Sequence, residues 1–131
     1  MVAGDERQLR WVHDFHRLDV WHMSRALGSD IFRVCTRMSQ PDARAITGQL
    51  RRSALSIATN IAEGCGKSSR AETIRFLEIA AGSAAETEHH LLVAQETEIL
   101  PHEVTEELLA RAVSVRRMLF GLIKRLPAER R

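Results

Sequence analysis

The apolar residues of this 131-residue chain recur at helical spacing in four long runs, with only a few residues between one run and the next. Leu18, Trp21, Leu27, Ile31, Val34 and Met38 mark a first helix, expected from about Asp14 to Met38. Ser39-Gln40-Pro41-Asp42 then supplies a cap and a first-turn proline. The second helix carries Ile46, Leu50, Ile57 and Ile61 and reaches about Glu63. Gly64-Cys65-Gly66 stops it, with a glycine expected in the left-handed conformation just past the end. Ser69-Arg70-Ala71-Glu72 reads as a capping box for a third helix running to about Thr97. Ile74, Leu77, Ala81, Ala84, Leu91 and Leu92 are its expected inward residues. Pro101 precedes a fourth helix, whose stripe of Val104, Leu108, Ala112, Val115, Leu119, Leu122 and Leu126 lasts until Pro127.

Helices of about 24 residues are roughly 36 Å long, and links this short make sequential helices antiparallel neighbours. The predicted fold is therefore all-α, an up-down-up-down four-helix bundle over residues 14–127. Residues 1–13 are expected to form a loose N-terminal arm and 128–131 a C-terminal tail. At this length one domain can bury one core. The absence of tyrosine and of β-branched runs at period two agrees with an all-helical chain.

Composition excludes more than it assigns. A net charge of +2 does not by itself imply a nucleic-acid partner. Only Lys67 and Lys124 are lysine among the 19 basic residues, which fits either a GC-rich coding bias or bidentate phosphate contacts. Met1 to Arg10 is polar and mixed in charge, unlike a secretory leader. No apolar run is long enough to cross a bilayer, so no membrane partner is expected. Cys35 and Cys65 stand in no metal-type spacing and fit reduced thiols, making a cytoplasmic location the expectation.

On a helical wheel, Gln49, Ser53, Ser56, Asn60 and Glu63 form a second, polar seam on helix 2 at alternating spacings of four and three. That average is what a continuous helix–helix contact requires; a solvated flank beside the core is the plainer reading. Leu55, Ala58 and Ala62 follow Arg51 on the far side, and helix 3 carries Phe76 and Ile79 off its main stripe. Surplus apolar surface of this kind marks partner interfaces, so homo-oligomerisation through helices 2 and 3 is expected, with Gln49, Ser53, Ser56, Asn60, Glu63, Phe76 and Ile79 as candidate interface residues. Glu88 falls within the helix 3 stripe and needs a charge partner. Counting back from the loop near Leu100 nominates Arg111, with an arginine of another helix as the alternative.

Charge is unevenly placed. Seven glutamates and no lysine or arginine lie between Glu86 and Glu107, while Arg111 to Arg131 holds seven basic residues against Glu129. In an up-down bundle Lys67, Arg70 and Arg75 gather at the same pole as Lys124, Arg125, Arg130 and Arg131. Such a pole could attract a phosphate backbone; cations at the end of helix 4 also complement its dipole. A membrane-surface role for Met118 to Leu126 is the weaker reading, because the core needs those residues.

Enzyme signatures are missing. Gly64-Cys65-Gly66-Lys67-Ser68 lacks the first glycine of a phosphate loop. Glu86-Thr87-Glu88-His89 has the Glu-x-x-His spacing of di-iron bundles, but Asp19-x-x-His22 is a poor second half and helix 2 offers no supporting glutamates. His89 and His90 splay about 100° apart on a helix. Neither a metal nor a cofactor is expected, and no catalytic residue is nominated.

Several motifs together resemble one family. They are Asp14-Phe15 with Trp21, Gln49-Leu50-Arg51-Arg52-Ser53, Ser56-Ile57, Asn60-Ile61-Ala62-Glu63-Gly64 and Gly66-Lys67-Ser68. Phe76-Leu77, Ile79-Ala80, Gly82-Ser83, Glu86, Leu91-Leu92 and Gly121-Leu122-Ile123 continue the match, which spans about residues 14 to 126. The chain resembles the bacterial four-helix-bundle proteins encoded in ribosomal-RNA intervening sequences and elsewhere in genomes. Ser39 replaces a usual proline and Ala58-Thr59 departs from the family's Pro-Ser, which bears on local helix shape. The resemblance implies a ring-like homo-oligomer, a pentamer. It also implies kinship with accessory proteins of diversity-generating reverse transcriptases, basic rings that bind the transcriptase and nucleic acid. The expected function is a non-enzymatic oligomer that binds RNA, DNA or a nucleic-acid enzyme through its basic pole. Lys67, Arg70, Lys124 and Arg125 would meet phosphate, with Arg51 and Arg52 reaching the ligand or supporting the interface. The alternative is a structural or protein-interaction oligomer with no nucleic-acid role.

Overall fold

Asp14 accepts a hydrogen bond from the His16 amide at 3.1 Å and so caps a single 3-10 turn, Phe15–Arg17, rather than a long helix. Leu18 follows in extended conformation, buried, and only then does α1 begin, at Asp19–Thr36. The helix expected from Asp14 thus starts five residues late, because Phe15 and Leu18 turn the chain inward to pack on Trp21 and the core. The computed structural model describes residues 12–38 and 40–126. Val12 is fully buried and His13 meets the Cys65 carbonyl at 3.0 Å, so the packed chain begins before the expected boundary at Asp14. The rest of the expected arm, Ser39 and the expected tail at 128–131 lie outside the described residues.

A second 3-10 turn, Pro41–Ala43, leads into α2, Arg44–Cys65. The stop after α2 differs from the expected one. Gly66 keeps a right-handed conformation, φ −85°, and its N–H returns to the carbonyls of Ala62 and Glu63. Gly64 serves a different need: a Cβ there would lie 3.0 Å from Phe76 Cβ and 3.2 Å from the Thr73 carbonyl. The glycine lets α2 and α3 approach closely. Ser69 caps α3, Arg70–Glu96, by accepting the Glu72 amide at 3.1 Å. After α3, Glu98 adopts the left-handed conformation (φ 58°) that closes a Schellman turn, with Ile99 N–H returning to the Ala94 carbonyl. Leu100 is driven into the core and Pro101 opens α4, His102–Arg125.

The four helices follow one another around the bundle, and α4 closes it against α1. Leu27, Ile31, Leu50, Ile57, Ile61, Leu77, Leu91, Val115 and Leu119 fill the interior. One expected core residue is misplaced: Leu92 stands 48% exposed on the α4 side of α3. Two adjacent helical residues differ by about 100°, so with Leu91 pointing at the axis Leu92 cannot.

Candidate nucleic-acid interface

Four helix ends meet at one pole. The turn from Gly66 to Ser69 joins α2 to α3 there, and His13 ties the entry of α1 to the end of α2. A cleft between the start of α1 and the end of α4 is lined by Arg17, Leu18, Asp19, Met118, Leu122 and Arg125. This pole therefore collects Arg17, Lys67, Arg70, Lys124 and Arg125, with the exposed Arg75 one turn further along α3. Arg17 is a cation that the linear charge pattern had not nominated. Asp14, Asp19, Glu63 and Glu72 share the region and offset part of the charge. Lys67 is half-buried, its ammonium 4.9 Å from the Phe76 ring centroid, which orders the side chain by a cation–π contact.

Arg51 and Arg52 do not join this pole. They sit some 15 residues before Gly66, roughly 20 Å along the helix axis. Arg51 lies over Phe32 at 5.5 Å, on the flank shared by α1 and α2, and Arg52 is exposed.

The polar seam of α2 faces α3 of the same chain. Ser53 is buried and accepts the Thr87 hydroxyl at 3.0 Å, while the Ser56 hydroxyl reaches Ser83 at 2.7 Å. Asn60 donates back to the Ser56 carbonyl at 2.8 Å. Ser53, Ser56 and Asn60 are thus spent within the bundle, where the seam was expected to meet another copy. Gln49 and Glu63 are exposed; Phe76 is half-buried against Gly64 and Lys67, and Ile79 remains exposed. The larger exposed apolar side chains stand elsewhere. Phe32 (43%) and Leu55 (44%) occupy the α1–α2 flank, and Leu92 and Phe120 (47%) line the groove between α3 and α4.

Glu88 pairs with Arg116 at 3.3 Å, not with Arg111. Arg111 instead meets Asp30 of α1 at 2.9 Å and Glu107 at 3.2 Å. The partner lies roughly 7.5 Å further along α4 than the arginine the count nominated, and on a different side of the helix. Five residues separate Arg111 from Arg116, about 140° around the helix, so one faces α1 and the other α3. Glu88 is also half-exposed rather than central, and the buried residue at that level is Thr87.

No group of three or more His, Cys, Asp or Glu side chains is placed to hold a metal among the described residues. Glu86 approaches His90 at 3.6 Å rather than His89. Burial pushes the Cys35 and Cys65 thiols up to about 11, so neither is a nucleophile near neutral pH. No described helix is long and apolar enough to cross a membrane.

The comparisons with known proteins agree with this architecture. The family model for the 23S rRNA-intervening sequence protein matches residues 16–121. The chain belongs to this family. Among solved structures it is similar to a protein of unknown function from the S23 ribosomal protein family of Bacteroides thetaiotaomicron VPI-5482. The two share 28% identity and a TM-score of 0.76, over 80% of this chain and 98% of the other. No curated protein matches. Membership in the intervening-sequence family thus comes with the all-helical, four-helix fold.

Proposed function

We propose that this intervening-sequence protein is a non-enzymatic, cytoplasmic homo-oligomer that binds nucleic acid through its basic pole. The observation that carries the reading is the convergence of Arg17, Lys67, Lys124 and Arg125 where four helix ends meet. A single copy offers a modest field, because four carboxylates share the region. Copies arranged as a ring, five by resemblance, would align the poles and multiply the field. The apolar flanks at Phe32–Leu55 and Leu92–Phe120 are the surfaces such assembly would bury.

Fluorescence anisotropy of labelled RNA tests the reading. Affinity should fall steeply as salt rises, since each phosphate contact releases counterions. Replacing Lys67 and Lys124 by glutamate should abolish binding and leave the helical signal intact. Salt-insensitive binding, or none at low salt, would remove the proposal.

The second reading is a structural or protein-interaction oligomer. It is favoured by the arginines already engaged with carboxylates, Arg33 with Asp30, Arg111 with Asp30 and Glu107, and Arg116 with Glu88. Absence of RNA binding by an assembled oligomer would select it.

A further inference from the structure

Beside the basic pole lies a cluster of aromatic rings that the core does not fully use. Phe15 and Trp21 are half-buried against the core, with centroids 4.7 Å apart. The His16 ring stacks on Phe15 at 4.2 Å and 25°, and its side chain is 68% exposed. His22 meets the Trp21 ring edge-on at 4.9 Å, and the Arg25 guanidinium lies 5.6 Å from its centroid.

This arrangement is held in place from both sides. Asp14 accepts from His16 Nδ1 at 3.0 Å, and that hydrogen bond holds its carboxyl below the usual range. His22 Nε2 contacts the His16 carbonyl at 2.7 Å. The second Asp14 oxygen reaches toward Arg17 at 4.0 Å, and Arg17 lines the cleft beside the end of α4. A pre-ordered aromatic cluster, with the exposed His16 ring stacked on Phe15 and Trp21 tilted by 56–58° to both, therefore adjoins a cleft carrying Arg17 and Arg125. Neither His16 nor His22 is needed to fill the interior.

We infer that the Phe15–His16–Trp21 cluster is a stacking platform for unpaired nucleobases, with the adjoining cleft receiving the strand's phosphates. The inference rests on the nucleic-acid reading above and narrows it to single strands. Every base presents a π-face, so stacking on aromatic and guanidinium planes tolerates any sequence. A duplex keeps its bases stacked on one another and offers none to the exposed His16 face.

The test uses a short fluorescein-labelled oligouridylate and a labelled RNA duplex, titrated with the full chain by anisotropy at several salt concentrations. The oligouridylate should bind more tightly than the duplex. His16→Ala should weaken oligouridylate binding by about tenfold. It should do so without changing the slope of affinity against salt, because no phosphate contact is lost. His16→Phe, which restores a ring in the same place, should recover the affinity. If duplex binds as well as single strand, or if His16→Ala binds oligouridylate as the parent does, the platform is overturned while the basic-pole reading stands. If neither RNA binds at low salt, both readings fall.

Discussion

Helix α3 is packed on its two sides with opposite materials. Toward α2 it uses small residues and hydroxyls: Ser83 against Ser56, Thr87 against Ser53, and Thr73 donating to the Gly64 carbonyl at 2.9 Å. Toward α4 it uses long polar side chains, with Glu88 reaching Arg116 and Gln95 reaching Thr105 and Glu106. A groove remains on the α4 side, lined by Gly82, Ala85, Leu92 and Phe120. Small side chains let two backbones close and satisfy one another's polar groups. Long ones span a gap and leave the apolar Leu92 and Phe120 side chains exposed.

Two glycines put that contrast to the sharpest test. Gly64→Val would push a branched side chain into Phe76 and the Thr73 carbonyl. We expect a loss of about 3 kcal/mol and a thermal midpoint lower by roughly 10 °C. Cys65, adjacent and buried, should then alkylate faster than in the parent, while Cys35 on α1 changes less. An unchanged midpoint would mean the seam is looser than its distances say.

The hydroxyl pair gives the next largest effect. A double-mutant cycle on Ser53→Ala and Thr87→Val should show a coupling of about 1 kcal/mol in denaturant unfolding. On the opposite side of the helix, Gly82 has open space where a Cβ would go. Gly82→Ala should therefore stabilise by roughly 0.5–1 kcal/mol through helix propensity, with the opposite sign from Gly64. The smallest effect belongs to the half-exposed pair: a cycle on Glu88→Gln and Arg116→Gln should give about 0.5 kcal/mol or less. A coupling larger than that of Ser53 and Thr87 would reverse the comparison.

The bundle was legible because four apolar periods and three short links leave few alternatives. Ser69 announced its cap and Pro101 its helix start. The seam on α2 was legible as a seam but not as to its partner, since α3 of the same chain and a helix of another copy present the same kind of surface. The pairing of Glu88 failed for a geometric reason, because both the stagger of two helices along their axes and the direction a side chain takes around each depend on how the helices pack. Glu98 in the left-handed conformation had no sequence signal, as glycine or asparagine would have given. The ring cluster was hidden by the 3-10 turn at Phe15–Arg17, which brings Phe15 and His16 onto Trp21 where a continuous helix would have spread them.

The α2–α3 seam is closed within one chain, and the proposed assembly would bury the Leu92–Phe120 groove instead. Sedimentation of the parent and of Leu92→Glu/Phe120→Glu at micromolar concentration tests it directly. The parent should sediment at a multiple of 14.8 kDa, and the variant at the single-chain mass with its helical signal unchanged. A parent that sediments as one chain, or a variant whose assembly is undiminished, would rule out assembly through this groove.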